Sequence, residues 1–355
     1  MGENVHGTFI SEKPSKIRWK PEELFETQTF LTGSWDNEIN NIKLWTYKVS
    51  QEDPDIYPFV LKTLPFKGDV TEIKFINSNT AVVSSSDGYA ILIRVKNDQH
   101  GGFELEEISR FSNLHYFNKF ESSPCTGLSV YDEDIVTVGE DGRINLLNAR
   151  QSRPIQVIEN ADSCTLKCVC FLKHNEVLTG NMRGQMKIWD IRATQSTNTP
   201  TSTFILSDEY HGATCVTYHP TQRHVVLTGS EDGLISVWDL RQNMYPVTTL
   251  NAHTQAVAEI QFHPSHPNKL FSCSMGSELW AWNSNSKYIT NNMLNMTQIS
   301  DENIWLNADL SKDKLEILSL MPNLNLPMNS LDVNRDKVLC GCDNEAIYVI
   351  NNIEY

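Results

Sequence analysis

The sequence has no dense run of lysine and arginine, and its 29 basic residues are outnumbered by 44 acidic ones, giving a formal charge of −15 at pH 7. A protein that binds the phosphate backbone needs a basic surface, so this composition argues against direct binding of DNA or RNA. No apolar stretch reaches about 18 residues, the length that a membrane-spanning helix needs. The amino-terminal residues MGENVHGTFISEKPSK lack the apolar core of a secretory signal. We therefore expect a soluble intracellular protein without direct membrane insertion.

Common catalytic signatures are missing as well. The sequence contains no G-x-S-x-G, no H-E-x-x-H and no phosphate-binding glycine loop. These patterns mark many hydrolases, zinc peptidases and nucleotide-binding proteins. We therefore predict that the protein is not an enzyme and uses no cofactor.

The eight cysteines do not have the paired CxxC spacing of zinc ribbons. Cys164, Cys168 and Cys170 form one group, and Cys340 and Cys342 form another. In a β-strand, the first three would point to one face. We interpret these cysteines as small, buried apolar residues in a reducing compartment, and we predict no metal site.

What the sequence does contain is a repeated hairpin pattern. In VVLTGSEDGLISVWDLR (Val225–Arg241), two β-branched, apolar runs flank Asp232-Gly233, which favours a tight turn because both residues tolerate positive φ. A lone hairpin is only marginally stable in water, so this one needs neighbours. Seven stretches share the pattern: Phe30–Trp45, Val82–Val95, Ile135–Asn148, Glu176–Arg192, Val225–Arg241, Leu270–Asn283 and Val338–Asn351.

Further apolar runs flank the hairpins. A preceding run, such as Asp69–Ile76 or Ala256–Pro264, and a following run, such as Phe59–Leu64 or Tyr245–Leu250, complete four strands per repeat. Most repeats follow one another after roughly 40–55 residues, in or just above the range of a four-stranded propeller blade. The pattern predicts an all-β fold, a seven-bladed β-propeller that forms a single domain over residues 1–355.

The two ends of the chain are predicted to complete one blade together. The seventh repeat ends after its third strand, because the chain ends at Tyr355. A propeller hides its open sheet edges, so a fourth strand is needed. We expect residues near Val5–Ser11, within the segment 1–12, to close the ring. Three segments fit no repeat and are predicted to be inserted loops: 97–122, 193–203 and 284–313.

The repeat resembles that of the WD-repeat family over nearly the whole chain. The family places a His before the first strand, a Ser or Thr in the second, an Asp in the hairpin turn and a Trp in the third. In the fifth repeat these slots are held by His211, Thr228, Asp232 and Trp238. The resemblance implies that the four side chains form a hydrogen-bonded network that stiffens the blade, since a buried carboxylate must be paired.

Other repeats fit the family pattern less well. The Trp slot holds Trp in three of them and an aliphatic residue in three others: Trp45, Trp189, Trp282, Ile93, Leu147 and Ile350. Gly276 stands where the sixth repeat should have its Asp. The fifth repeat is therefore the best match, and its network is expected to be the most complete.

Several stretches outside the repeat pattern resemble one group of WD-repeat proteins, the small nucleoporins of the Y-shaped outer-ring complex of the nuclear pore. They include Ile10–Pro21, Ile135–Leu146 and Trp305–Val333. The resemblance implies a non-enzymatic scaffold subunit at the nuclear envelope, monomeric alone, that supports pore assembly and nucleocytoplasmic transport. Its implied partners are the α-solenoid nucleoporin of the complex's short arm and neighbouring propeller nucleoporins. The resemblance also implies a presence at kinetochores in mitosis.

A second function remains open, because Trp189–Arg192 and Trp238–Arg241 both read W-D-x-R. This pattern resembles a box in substrate receptors of cullin-RING ubiquitin ligases, where the arginine helps to dock the ligase adaptor. Arg192 and Arg241 are then candidate partner-binding residues, because a guanidinium presents a planar fork of donors. The alternative is that they are solvated strand-end arginines, because W-D-x-R is short enough to occur by chance. Trp305, in the Asn-rich segment 284–313, is either a partner anchor or packs back onto its blade.

Overall fold

The computed structural model describes residues 4–22, 27–47, 56–97, 102–192, 199–206, 210–242, 245–284, 304–306 and 315–353. Seven four-stranded antiparallel sheets are arranged around a central axis, and the described ranges contain no α-helix. The predicted class, a seven-bladed all-β propeller, is confirmed.

The amino-terminal strand β1 (Val5–Phe9) belongs to the last blade, and blades 1 to 7 follow in chain order. Blade 1 comprises β2 (Lys13–Trp19), β3 (Thr29–Trp35), β4 (Asn40–Thr46) and β5 (Phe59–Phe66). Blade 2 comprises β6 (Val70–Asn77), β7 (Thr80–Ser85), β8 (Ala90–Asn97) and β9 (Phe103–Phe111). A separate two-stranded hairpin follows, made of β10 (Tyr116–Asn118) and β11 (Glu121–Ser122).

The remaining blades repeat the same order of strands. Blade 3 comprises β12 (Cys125–Tyr131), β13 (Asp134–Gly139), β14 (Ile144–Asn148) and β15 (Gln156–Ile158). Blade 4 comprises β16 (Leu166–Lys173), β17 (Glu176–Asn181), β18 (Gln185–Asp190) and β19 (Ser202–Ile205). Blade 5 comprises β20 (Ala213–Tyr218), β21 (Val225–Ser230), β22 (Leu234–Asp239) and β23 (Thr248–Asn251). Blade 6 comprises β24 (Val257–Phe262), β25 (Lys269–Ser274), β26 (Leu279–Ser284) and β27 (Leu315–Ser319). Blade 7 comprises β28 (Met328–Asn334), β29 (Lys337–Cys342), β30 (Ala346–Ile350) and β1.

The first strand of each blade lines the axis, and the second and third strands carry most of the core. All six residues of β21 are buried, which explains its continuous apolar run, because a sheet covered on both faces does not alternate. The core lies between neighbouring blades. For example, Leu31 and Ile42 of blade 1 pack with Ile73 and Val83 of blade 2. Each blade therefore depends on its neighbours for burial.

The ring is closed by the amino-terminal strand, as predicted. β1 pairs antiparallel with β30, from Val5 opposite Ile350 to Phe9 opposite Ala346. The backbone pairing continues past the strand, where the Ile10 amide donates to the Glu345 carbonyl over 2.8 Å. Blade 7 thus obtains its outer strand from this same chain, and no strand from another protein is needed to complete it.

The prediction that residues 97–122 form an inserted loop is wrong for Asn97 and for Phe103–Phe111, which are blade strands. Residues Phe103–Phe111 form β9, the outer strand of blade 2, which pairs with β8. Phe103 and Leu105 pack against the core, whereas Glu104 and Glu106 alternate with them and lie on the opposite face. An edge strand with one solvent-exposed face contains many polar residues, and its composition therefore resembles that of a loop. This is why the sequence-based prediction missed β9. Within the described part of this segment, the β10–β11 hairpin is additional to the blades.

The other two predicted insertions lie mostly outside the described residues. Residues 193–198 are not described, and Ser202 begins β19, so the end of segment 193–203 is a blade strand. Of segment 284–313, Ser284 is the last residue of β26 and Ile304–Leu306 forms one turn of 3₁₀ helix. The residues between them are outside the described ranges.

All eight cysteines are free thiols, and six of them are buried. Burial raises the pKa of the Cys125, Cys170 and Cys215 thiols to about 12, so they stay protonated at neutral pH. Cys164 precedes β16 in a bend, so the expectation that it shares a strand face with Cys168 and Cys170 is wrong. A register irregularity between Leu166 and Cys168 separates the start of this strand from the regular ladder.

Candidate partner-binding sites

The four predicted network residues of blade 5 come from three parts of the blade. His211 precedes the first strand, Thr228 and Trp238 lie on the second and third strands, and Asp232 lies in the turn between them. The Trp238 indole donates to Thr228 Oγ1 over 2.9 Å, and both side chains are buried. His211 Nε2 lies 3.8 Å from Asp232 Oδ2, an ion-pair distance rather than a hydrogen bond. Their side chains are 37% and 23% exposed. Asp232 also accepts a hydrogen bond from Ser230 Oγ. The Thr228–Trp238 end of this network is buried and hydrogen-bonded, whereas the His211–Asp232 end is partly exposed to solvent.

Blade 6 contains a more enclosed network, although its sequence lacks the expected Asp. His253 Nδ1 lies 3.0 Å from Glu278 Oε2, and His253 Nε2 lies 2.8 Å from Ser272 Oγ. The Trp282 indole donates to the same hydroxyl over 2.8 Å. The expectation that Gly276 leaves this repeat without its carboxylate is therefore wrong. The turn 275–278 is one residue longer than the turn 231–233 of blade 5, and a longer Glu at its end reaches the histidine.

Blade 3 holds a third network that the sequence pattern missed. His115 Nδ1 lies 2.9 Å from Asp141 Oδ1, and its Nε2 lies 3.0 Å from Thr137 Oγ1. Leu147 occupies the Trp slot, but Asn145 lies 3.2 Å from His115 Nε2 and donates to the Leu114 carbonyl over 3.0 Å. His115 lies directly before the β10–β11 hairpin, and this hairpin separates it from β12. In a regular repeat no hairpin lies between the histidine and the first strand of the blade.

Arg192 and Arg241 both fold back onto the Asp two residues earlier. Arg241 makes a two-pronged contact with Asp239, with Nε 2.8 Å from Oδ1 and Nη2 2.7 Å from Oδ2. This hydrogen bond holds the pKa of the Asp239 carboxyl below its usual range. Arg192 contacts Asp190 in the same way, with both distances 3.3 Å. Each guanidinium is exposed but is already hydrogen-bonded to a carboxylate of its own chain. This arrangement fits arginines that stabilise the end of a strand.

Trp305 is not an exposed anchor. Only 1% of its surface is accessible; it packs edge-on against Phe262, and its indole donates to the Pro267 carbonyl over 3.1 Å. The partner-anchor hypothesis is therefore wrong for this residue. The 3₁₀ turn that carries it lies against β22 and fills a gap between blades 5 and 6.

A buried cluster of charged residues at the axis joins four blades. Arg18 on β2 donates to Glu72 Oε1 of blade 2 over 2.6 Å and binds the Glu259 carboxylate of blade 6 through both terminal nitrogens. It also donates to Ser330 Oγ of blade 7 over 2.9 Å. Burial alone would raise the pKa of Glu259, but Arg18 and Lys16 outweigh this effect and hold it well below the usual range. Because blades 1 and 7 meet at the point of ring closure, this cluster holds the closure together from the inside.

The cluster lies in a central channel of about 690 Å³, and its charges are paired with one another. Within the described ranges, no group of three or more His, Cys, Asp or Glu side chains is placed to hold a metal ion. The searched part of the chain likewise contains no helix long and apolar enough to cross a membrane. The channel charges are therefore most directly explained as a structural cluster.

Comparison with known proteins identifies the family. Residues 120–311, slightly more than half of the chain, match a β-propeller family model described as the N-terminal domain of nucleolar protein 10-like proteins, and the chain belongs to that propeller family. The human protein Nucleoporin Nup43 is 37% identical over 99% of both chains. The chain belongs to the Nup43 family of nucleoporins. The mouse Nup43 is 36% identical over the same shares, and a Dictyostelium discoideum nuclear pore complex protein nup43 is 24% identical over 63% of this chain and 52% of its own.

For a member of the Nup43 family, the two faces of the ring are the natural surfaces to compare. We call the top face the turns between the second and third strands of each blade, together with the connections from each fourth strand to the next blade. The bottom face comprises the opposite ends of the blades. Arg192, Arg241 and the turn that carries Trp305 all lie on the bottom face.

The described top-face turns are strongly acidic. Their basic residues are Lys67, Lys119, Arg143 and Arg183. Their acidic residues are Glu12, Asp36, Glu38, Asp69, Asp87, Glu121, Glu140, Asp141, Glu159, Asp162, Glu231, Asp232, Glu278, Asp343 and Glu345. The described bottom-face turns carry a mixed set in which basic residues are slightly more numerous. The Asp141 and Asp162 side chains are buried, and Glu12, Asp36 and Asp87 are paired with lysines; the other acidic residues give the described top-face turns a net negative charge.

Proposed function

We propose that this nucleoporin is a rigid, non-enzymatic scaffold subunit of the Y-shaped outer-ring complex, which binds the α-solenoid nucleoporin of the short arm through a face of its ring. In this role it stands beside other propeller nucleoporins, supports pore assembly and nucleocytoplasmic transport, and accompanies the complex to kinetochores in mitosis. Family membership at nearly full length supports the pore role and a location at the nuclear pore complex of the nuclear envelope.

The observation that carries the scaffold proposal is the self-contained ring. β1 completes blade 7, and the Arg18 cluster joins blades 1, 2, 6 and 7 at the axis. A propeller that lacks a strand must obtain one from its partner, but this one presents paired or protected edges at its closure. The partner therefore does not need to supply a strand. We expect the partner to bind a surface of the propeller that exists before binding and changes little in shape.

Affinity purification of the tagged full chain, followed by mass spectrometry, tests the proposal. We expect stoichiometric recovery of outer-ring nucleoporins, with the α-solenoid subunit most abundant, and a fluorescent fusion at the nuclear rim. Recovery of a cullin and its adaptor without nucleoporins would instead support the ubiquitin-ligase function that the W-D-x-R pattern suggested.

A double variant, Arg192→Ala with Arg241→Ala, separates the two functions within one experiment. Both guanidinium groups already bind their own Asp residues, so the variant should keep its fold, its nucleoporins and its rim signal. Loss of the rim signal from a folded double variant would show that the partner binds the bottom face. Single variants, Asp190→Ala and Asp239→Ala, serve as controls, because each frees one guanidinium without removing it.

A further inference from the structure

The β10–β11 hairpin projects from the top face between blades 2 and 3 and carries the most exposed aromatic residue of the described chain. Phe120 is 98% exposed and Phe117 is 49% exposed. Lys119 and Phe120 form the turn between Asn118 and Glu121, and neither has a positive φ. Large apolar side chains exposed singly are common, but two on one projecting hairpin form a local apolar patch.

The turn itself directs Phe120 outward. The Phe120 amide donates to Asn118 Oδ1 over 2.9 Å, and the Asn118 side-chain amide donates to Glu121 Oε2 over 2.9 Å. An Asn side chain that accepts from the backbone two residues later fixes a turn of this kind. The exposure of Phe120 is therefore set by hydrogen bonds at the tip.

The base of the hairpin is anchored on blade 3. The Arg143 guanidinium stacks on the Tyr116 ring at 3.6 Å and donates to the Tyr116 carbonyl over 3.2 Å. Asp141 Oδ2 accepts from the Tyr116 amide over 3.0 Å, so the blade 3 network and the hairpin share one carboxylate. The Ser123 amide closes the base by donating to the His115 carbonyl over 3.1 Å. An aromatic residue held in place before binding loses little conformational freedom when a partner binds it.

The surroundings of the hairpin restrict the kind of partner. Glu121 is exposed, and Glu140 and Glu159 lie in the adjoining turns of blade 3, within a face where acidic residues predominate. β11 has only two residues and a shifted register, so the hairpin offers no edge long enough for strand addition. A convex tip with an exposed ring needs a concave apolar pocket. Grooves between antiparallel helices provide such pockets, and a basic rim would complement the acidic face.

We propose that residues 116–122 are the docking element for the α-solenoid nucleoporin, with Phe120 inserted between two of its helices and the top-face carboxylates facing lysines and arginines at the rim of that groove. This inference rests on the proposed scaffold function and assigns its partner surface. It makes Phe120 the central anchor, with Phe117 beside it. Asp141 and Arg143 act as positioning residues that hold the hairpin in its binding conformation.

The test measures binding of the full chain to the purified α-solenoid nucleoporin of the same species. Phe120→Ala should weaken the affinity about tenfold or more, because a central aromatic anchor typically contributes this much. Tyr245→Ala is the matched control: Tyr245 is 78% exposed on the bottom face, and its loss should change the affinity by less than about twofold. Since Phe120 makes almost no contact with the ring, the variant should also melt at the wild-type temperature.

A charge-reversal arm tests the rim. Glu140→Lys combined with Glu159→Lys should slow association and reduce the salt dependence of binding relative to the wild-type chain, because surface charges mainly steer encounter. An unchanged association rate and an unchanged salt dependence would overturn the basic-rim part of the proposal.

The outcomes separate this inference from the function on which it rests. If the wild-type chain binds the solenoid and Phe120→Ala binds equally well, the docking element is wrong and the scaffold function stands. If the wild-type chain neither binds the solenoid nor co-purifies with nucleoporins, the scaffold function fails and the inference fails with it. A photo-reactive phenylalanine analogue at position 120 gives a direct check, with a cross-link to the solenoid expected and a cross-link to any other subunit contradicting the proposal.

Discussion

Blade 5 and blade 6 solve the same structural problem in different ways, and the one that matches the family pattern better is the more open. Blade 5 has the full set of family residues, yet its His211–Asp232 pair is 3.8 Å apart and partly exposed. Blade 6 uses Glu278 from a longer turn, and its His253 side chain is fully buried. A match to a pattern therefore does not measure how complete a hydrogen-bonded network is, because completeness depends on distances and burial.

The two blades also differ at the axis. At the equivalent position of the inner strand, blade 5 has Cys215, which lies opposite Gly229, and blade 6 has Glu259, which lies opposite Cys273. Glu259 binds Arg18 and accepts from Ser330 Oγ over 2.7 Å and from the Leu331 amide over 2.9 Å. Blade 6 thus contributes a buried carboxylate to ring closure, whereas blade 5 contributes an ordinary small residue.

The largest expected effect comes from breaking the axial cluster. Glu259→Gln removes the charge that Arg18 contacts most closely while keeping the shape of the side chain. Removing one partner of a buried ion pair typically costs about 3–5 kcal/mol, because the other charge stays buried. Cys215→Ala in blade 5 is the control, with an expected cost of about 1 kcal/mol. Denaturant unfolding of both variants measures the difference, and similar losses would mean that the cluster contributes little to closure.

The next comparison removes the central hydroxyl of each network. Ser272→Ala leaves His253 Nε2 and the Trp282 indole without their shared partner, so we expect a loss of about 2–3 kcal/mol. Thr228→Val in blade 5 removes the acceptor of the Trp238 indole and should cost about 1–2 kcal/mol. Denaturant unfolding again gives both values, and a larger loss in the blade 5 variant would mean that blade 5 holds the stronger of the two networks.

A smaller difference is expected at the carboxylates. Glu278 accepts from the Thr254 amide over 3.1 Å and from Ser274 Oγ over 3.1 Å, in addition to its contact with His253. We expect Glu278→Ala to cost about 2 kcal/mol and Asp232→Ala to cost about 1 kcal/mol, since the half-exposed end of blade 5 can exchange protein contacts for water. Thermal melts of the two variants at pH 7.5 give this comparison, and an equal shift in melting temperature counts against it.

The smallest expected effect is a dependence on pH. Burial lowers the pKa of His253, and it lowers the pKa of His219 and His263 as well, below the usual value of 6.5. The unfolded chain takes up these protons near pH 6.5 and the folded chain does not, so stability should fall as the pH drops below about 6.5. A series of melts from pH 8 to pH 5.5 should show this fall, and His253→Gln should make it shallower. If the melting temperature of the wild-type protein does not change over this pH range, these histidines take up protons as readily in the folded state as in the unfolded state.

The prediction from sequence succeeded where the signal was repetitive and local. Seven turn patterns with β-branched flanks were enough to predict the blades, and the missing last strand was enough to predict closure by β1. It failed at β9, where an outer strand with one solvated face has the composition of a loop. The sequence-based prediction also missed Glu278. The turn of blade 6 is one residue longer, so its carboxylate does not stand at the sequence position where the family pattern has Asp.

Residues far apart in sequence escaped prediction for a different reason. Glu72 and Glu259 are separated by most of the ring, and each is an ordinary residue of its own strand; only closure brings both of them to Arg18. Trp305 stands in a polar segment, and its burial depends on contact with Phe262 of β24, a residue distant from it in sequence. Such contacts have no periodic signature.

The sequence by itself determined the number of blades, the order of their strands and the family, because these follow from local patterning that repeats along the chain and from stretches shared with relatives. Tertiary structure alone decided which networks are closed, that Trp305 is buried, how the charges of the described turns are divided between the two faces and that Phe120 is left exposed. The physical reason is that patterning acts between neighbours in a strand or turn. Burial, ion pairing and exposure are set instead by residues that become neighbours only when the ring closes.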